Sequence, residues 1–418
     1  MYSGPAILSR GQTPAAQATT PVSFRPYIGL GAAYDTGLEP VSVASNGQVP
    51  TTNEYGLDLN LGAYVYHVWR HTRLGLDYRG DFRHYSTSSL DGTDQSLALV
   101  LTHELTRRIT FTLQAQSGIY SLNNYLASLP QGIVTPNYLE LPQNDIFDSR
   151  TIFATASGDL TYHFSPRLSF NAGLSGNLVR RQSTALYGTT GAIARADLEY
   201  QISWRTTVGV DYSFTYFGYT RGFGNSEMQS VGVNYSAKIS RNVQLSARIG
   251  AARAASTSRN EVILAPAVAA LVGETVGIQS AHALTYSPAV QVQLARAFRR
   301  SEFSMSYADQ IMPGNGVYTA SHSNGGGAAF NYSGVHYWNF SLNGMYSRMT
   351  SLVQTLGAYT NYGGGIGITR ELGKGFHNVL RFDAFHNDIA GPALFRRTEF
   401  RASMGVTFSP GDRPLVLW

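Results

Sequence analysis

Cysteine is absent from this chain of 418 residues, which removes disulfide frameworks, thiolate metal sites and cysteine nucleophiles together. An oxidising envelope compartment is compatible with that absence. Lysine is confined to Lys238 and Lys374, so nearly all the positive charge is arginine, whose planar fork suits carboxylates and phosphates. Charged residues make up only 14% of the chain, and the net charge of +5 is not gathered into the basic face or helix that nucleic acid requires. Long apolar runs are missing too. The longest, Val262 to Val272, is interrupted by Pro266 and falls short of the ~20 residues of a spanning helix. Met1 to Pro21 shows no basic segment followed by an apolar stretch, so the expectation is a mature or truncated form whose export signal has been removed.

What is abundant is glycine, 43 residues, and aromatics, 12% of the chain with 26 tyrosines and 20 phenylalanines. Both suit strands whose ends sit in a membrane interface. The dominant pattern has a period of two. From Arg73 to Tyr85, Leu74, Leu76, Tyr78, Gly80, Phe82 and His84 alternate with Arg73, Gly75, Asp77, Arg79, Asp81, Arg83 and Tyr85. Successive strand side chains point to opposite faces, so one face is apolar and the other wet. The same split sets Val208, Val210, Tyr212 and Phe214 against Thr207, Gly209, Asp211 and Ser213. It recurs with Leu198, Tyr200 and Ile202 against Arg195, Asp197, Glu199 and Gln201, and with Val231, Val233 and Tyr235 against Ser230, Gly232 and Asn234.

Eighteen strands are expected, near residues 24–36, 54–68, 72–85, 94–105, 109–120, 150–164, 167–182, 188–203 and 205–218, then 227–239, 242–254, 279–295, 301–311, 321–332, 335–349, 358–371, 375–388 and 395–408. Every second connection is tight: Trp69 to His71, Thr106 to Arg108, Ser165 and Pro166, Trp204, Ser240 and Arg241, Ser333 and Gly334, and Gly373 and Lys374. The others are longer, notably Ser121 to Ser149 and Ala255 to Ile278. Short turns on one rim and long loops on the other predict an all-β, transmembrane, antiparallel up-and-down barrel with both termini on the periplasmic side. Residues 1–23 then form a flexible periplasmic segment, 24–408 the barrel and 409–418 a tail. Aromatics collect at both strand ends. Trp69, Trp204, Trp338, Phe376 and Phe408 gather near the tight turns, and Tyr34, Tyr55, Phe82 and Tyr216 at the opposite ends, as two girdles facing the lipid bilayer.

The last strand places Phe400, Ala402, Met404, Val406 and Phe408 on one face and Arg401, Ser403, Gly405 and Thr407 on the other. It resembles the closing strand of bacterial outer-membrane barrels, which ends in an aromatic read by the barrel-assembly machinery. This chain departs by continuing from Ser409 to Trp418. The resemblance implies a porin-like protein of the Gram-negative outer membrane.

Apolar parity assigns the lumen mainly Gly, Ser, Thr, Asn and Gln, such as Ser169, Asn171, Gly173, Ser175 and Asn177. A barrel of this strand number is wide enough for an aqueous channel. Charged candidates for the pore lining are Asp58, Arg73, Asp77, Arg79, Asp81, Arg83, Glu104, Arg195, Asp197, Glu199, Asp211, Arg248, Arg381, Asp383 and Arg401, with Asp35 beside them. They either pair across strands and hold the wall together or set up a transverse field for hydrated solutes. Candidate constrictions are Ser121 to Ser149 and a short helix within Glu261 to Val272.

His67 and His71 have metal-ligand spacing but flank a turn, and Gly363, Gly364, Gly365 and Gly367 alternate within a strand with no P-loop lysine, so neither metal nor cofactor is expected. No G-x-S-x-G elbow is present, and no enzymatic activity is expected. The leading functional expectation is passage of small hydrophilic solutes through an aqueous pore. The alternatives are an export conduit for a secreted polysaccharide and a structural or adhesive barrel with a loop-blocked lumen. A homo-oligomer is compatible with an apolar outer face, which serves lipid and subunit contacts equally.

Overall fold

The computed structural model describes residues 22–38, 52–120, 150–182, 186–220, 224–263, 275–314, 320–352, 357–389, 395–410 and 413–414. It is a closed antiparallel barrel of eighteen strands. In chain order these are β1 (Val22–Leu38), β2 (Thr52–Val68), β3 (Thr72–Tyr85), β4 (Gly92–Thr106), β5 (Ile109–Tyr120), β6 (Thr151–His163), β7 (Leu168–Arg181), β8 (Gly188–Ser203) and β9 (Thr206–Thr220). The second half comprises β10 (Gly224–Ser240), β11 (Val243–Ile263), β12 (Val276–Ala297), β13 (Ser301–Pro313), β14 (Ala320–Tyr332), β15 (Trp338–Ser351), β16 (Tyr359–Gly373), β17 (Phe376–Ile389) and β18 (Phe395–Phe408).

Each strand pairs with its sequence neighbours, and β1 pairs with β18 from Ile28 opposite Phe408 to Thr36 opposite Phe400. Closure pairs the two edge strands that an open sheet would leave bare, which is the condition for crossing hydrocarbon with strands. With ~4.8 Å between strands and a tilt near 40°, eighteen strands make a tube roughly 35 Å across between backbones. A further bridge, Arg413–Pro414 against Phe24 and Ser23, continues the seam toward the periplasmic rim.

The short turns are built from hydroxyl side chains that satisfy the turn amides. Thr106 Oγ1 accepts from the N–H groups of Arg108 and Ile109 at 3.2 and 3.1 Å, and Ser165 Oγ from those of Arg167 and Leu168 at 3.2 and 3.0 Å. Ser203 and Ser240 do the same for Arg205 and Asn242. A local hydroxyl offers those amides an alternative to the ladder, so the chain reverses there. At the β16–β17 turn, Gly373, Lys374 and Gly375 have φ of 102°, 55° and 86°, and glycine accepts that left-handed region without Cβ strain.

Two expectations are corrected. The connection placed at Ala255 to Ile278 is strand at both its ends: β11 and β12 continue as a paired hairpin as far as Ile263 opposite Val276. Glu261–Ile263 is therefore strand rather than the start of a helix, and 264–272 lies outside the described residues. Above the lipid band both faces of a hairpin are wet, so the apolar signal stops before the strand does. The turn placed at Ser333 and Gly334 extends to Tyr337, whose φ of 64° reverses the chain before Trp338 opens β15. The proposed constriction at Ser121 to Ser149, the segment 1–21 and the terminal Trp418 also lie outside the described residues.

Candidate functional site

The two faces of the wall differ as alternation requires. Leu57 is 58% exposed on the outside, whereas Asp58, the next residue, is 7% exposed within. The outer face carries exposed Leu30, Leu174, Val231, Ile249, Leu342 and Met404, a belt that only lipid or another apolar surface can cover. Trp69 and Trp204 project from short turns, 50% and 73% exposed, and the Arg205 guanidinium lies 4.1 Å from the Trp204 ring. Trp338 stacks on Phe340 at 6.2 Å, and Phe376 faces Phe408 at 4.9 Å. Tyr34 and Tyr55 meet at 4.8 Å at the opposite end. Aromatic rings thus stand at both margins of the belt, where an amphipathic ring is best placed. This outer surface is that of an outer-membrane-type barrel.

The inner face is polar, small and ion-paired. Its largest charged group spans the closing seam from β18 across β1 and β2 to β4. Arg401 on β18 contacts Asp58 on β2 at 2.5 Å and Asp35 on β1 at 3.4 Å. Tyr85 donates its hydroxyl to Asp35 at 2.9 Å. Arg83 contacts Asp81 at 3.2 Å, Asp94 at 3.4 Å and Asp58 at 3.8 Å, with its side chain 5% exposed. On the neighbouring strand β17, Arg381 holds Asp383 at 2.7 Å, and Asp383 is the register partner of Arg401. Two further pairs stand on the other side of the lumen, Arg195 with Asp159 and Arg248 with Asp211, each at 2.5 Å. Arg248 also donates to Ser230 Oγ at 2.8 Å.

Glycine makes these pairs possible. Asp159, Gly173 and Arg195 occupy one rung on β6, β7 and β8, so the ion pair spans two interstrand spacings above a residue with no side chain. A Cβ on Gly173 would meet the Asp159 carboxylate and lie 2.7 Å from Arg195 Nε. Gly232 lies beneath the Asp211–Arg248 pair and Gly365 beside Asp383 in the same way. Gly31, between Asp58 on β2 and Gly405 on β18, differs: a Cβ there would meet the β18 backbone at Met404 O, 3.0 Å away, and not an ion pair. Glycine within a strand marks such a close approach.

Of the charged residues named from the sequence, Asp58, Asp81, Arg83, Asp383 and Arg401 come together at the seam. Arg79 and Asp77 form a separate pair at 3.3 Å, with Arg79 the more open at 34% exposed. Arg73 and Glu104 are inward by parity and exposed beside the short-turn rim. Asp197 and Glu199 follow Arg195 along β8, and Asp197 is the register partner of Asp211. The sequence reading omitted Asp159 and Asp94. Both were legible, because Asp159 shares parity with Thr155, Ser157 and Thr161, and Asp94 with Ser96 and Glu104. His67 faces outward, its ring 3.8 Å from that of Trp69, an interfacial contact. Gly363, Gly364, Gly365 and Gly367 are in β16.

No protein-family model matches the chain, and no curated protein matches it. Among solved structures, Pseudomonas aeruginosa OccK2 (OpdF) in complex with glucuronate is similar at 12% identity over 92% of this chain and 98% of that one, with a TM-score of 0.44. Acinetobacter baumannii OccAB3 shares 10% identity over 92% and 99%, with a TM-score of 0.42. The Pseudomonas aeruginosa outer membrane protein opdK shares 11% over 92% and 99%, with a TM-score of 0.41. At these values no ligand or residue role passes from those proteins to this chain.

Proposed function

We propose that this barrel is an outer-membrane channel through which small hydrophilic solutes pass. The observation that carries the reading is the inner wall itself: a closed eighteen-strand tube whose lumen face is lined by Ser, Thr, Asn, Gly and ion-paired Asp and Arg, opposite an apolar outer belt. A barrel of ~8 strands would be filled by its own side chains, whereas this circumference with small inner residues leaves an aqueous path. The charged residues at the seam serve as both wall braces and lining. Arg79, the most open arginine of the pairs described above on β3, is the one that meets a solute. Because Arg83, Arg195, Arg248, Arg381 and Arg401 each contact a carboxylate, an acidic polysaccharide finds a largely compensated wall, and small neutral or weakly charged solutes suit it better.

Insertion relies on the outer-membrane lipid and on recognition of the β18 face ending at Phe408 by the barrel-assembly machinery. A homo-oligomer would form through the same apolar belt. The direct test is swelling of proteoliposomes in iso-osmotic sugars of increasing size. Swelling that falls with sugar size supports an aqueous pore, and no swelling from protein shown to be folded and inserted overturns it.

A further inference from the structure

The wall is not continuous to its top. Strands β12 and β13 pair only from Ala297 opposite Glu302 up to Val290 opposite Asp309. Beyond that rung β12 continues to Val276 paired to β11 alone, and β13 continues to Pro313 paired to β14 alone. Two prolines stand at the parting edges. The Ala297 N–H donates to Asn242 O, toward β11, so with a period of two the even positions of β12, Pro288 among them, aim at β13. Ser301 O accepts from Phe298 N–H on the β12 side, so the odd positions of β13, Pro313 among them, aim at β12. Each edge therefore lacks a donor where the ladder would have to continue, a protection found at edges and not inside sheets.

Above the split the two edges overlap. Ile311 has the outward parity of Met305 and Tyr307, yet it is 5% exposed and packs on Ala252, Ala254 and Ala289 from the inner faces of β11 and β12. The tip of β13 has slipped inside the β11–β12 hairpin. Between it and the wall lies a cavity of about 90 Å³. Phe217, Met228, Ile193 and Ile311 supply apolar walls, and Asn177, Ser213, Thr215 and Gln310 supply hydrogen-bonding groups beside Arg248, which is held by Asp211 and Ser230. The rung at which the split begins carries Asp309, directly above the outward tyrosine row of Tyr307, Tyr346 and Tyr362, so it opens at the outer interface of the lipid belt.

We propose that this cavity is a binding site for a small amphipathic molecule, an aromatic or short aliphatic body with one hydroxyl, which reaches it laterally through the β12–β13 split. Such molecules collect at a membrane interface, and a mostly apolar pocket with a few polar groups is the usual form of a small-molecule site. The cavity borders the lumen, because Ser175, Asn177, Ser213, Ser230 and Arg248 line it from the inner wall, but the proposed entry is lateral and is read by binding rather than by conductance, so its failure leaves the proposed channel untouched.

The probe is phenol, the smallest aromatic body with one hydroxyl, titrated by calorimetry into the protein in lipid nanodiscs, with folding verified by the difference in gel mobility between unheated and heated samples. Saturable binding is expected, weakened at least tenfold by Ala252→Phe, which fills the cavity. If that variant does not fold, Ile311→Asn, which removes an apolar wall, is expected to weaken binding to a similar degree. In the Ala289→Cys/Gln310→Cys variant, oxidation joins the parted edges in this otherwise cysteine-free chain and should slow phenol entry, with recovery on reduction. No saturable binding to folded protein, binding indifferent to whichever cavity variant folds, or a retained lipid chain that the phenol cannot displace would each overturn the proposal.

Discussion

Arg401, near the end of the last strand, contacts Asp58 on the second strand at 2.5 Å, reaching across the intervening strand β1. The contact ties the C-terminal end of the sheet to its N-terminal end beyond the backbone ladder that closes it. Both side chains are largely withdrawn from solvent, at 18% and 10% exposed. Removing the arginine alone takes the cation from two inward carboxylates, leaving Asp35 with the Tyr85 hydroxyl and Asp58 with Arg83 at 3.8 Å. Arg401→Met is therefore expected to destabilise the folded barrel by about 3 kcal/mol, the scale on which breaking a buried pair acts. Urea unfolding in detergent or lipid checks it, and a change within ~0.5 kcal/mol would mean the seam is held by the ladder alone.

Some glycines lie beneath ion pairs and others have room for a side chain. Gly173→Ala pushes a methyl group between Asp159 and Arg195 and is expected to cost about 1–2 kcal/mol. At Gly176 the nearest atom to an added Cβ is Gly191 O at 3.7 Å, an ordinary contact, so Gly176→Ala is expected to stay within ~0.5 kcal/mol. The same unfolding measurement compares them directly.

Two arginines on one strand should respond differently to charge reversal. Arg79 is a third exposed and Arg83 is almost closed off by three carboxylates. Arg79→Glu is expected to move ion preference toward cations by on the order of 1 kcal/mol, a several-fold change in permeability ratio seen as a shifted reversal potential. Arg83→Glu, which places a fourth carboxylate among three, is expected instead to reduce the yield of folded barrel.

Trp204 projects from the β8–β9 turn under Arg205, at the margin of the apolar belt. A variant retaining Trp204 as its sole tryptophan should be quenched strongly by lipids brominated near the headgroup and weakly by lipids brominated near the chain end. The reverse order would place this rim in the hydrocarbon and displace the belt.

The strands were legible because each must present lipid with one face and water with the other, which writes the period of two into the residues. The range 188–203 matches β8 to the residue, and 72–85 matches β3. Where that constraint lapses the reading lapsed with it. Apart from Arg253, residues from Ala251 to Ser258 are small on both faces, so the upward extension of β11 left no alternation to find. The charged inner residues were legible one by one from parity, but not which aspartate meets which arginine. That pairing depends on interstrand register and on glycines such as Gly173 and Gly232 lying between partners that are far apart in sequence. The split wall left a sequence sign in Pro288 and Pro313, whose meaning emerges only when β12 and β13 are seen as neighbours.

The central claim is an open aqueous lumen, and single-channel recording of the refolded protein in a planar bilayer under a salt gradient tests it most directly. Stable, stepwise conductance, with a reversal potential that shifts toward cation preference in Arg79→Glu, is the result expected. Electrical silence from barrels verified as folded and inserted would contradict it.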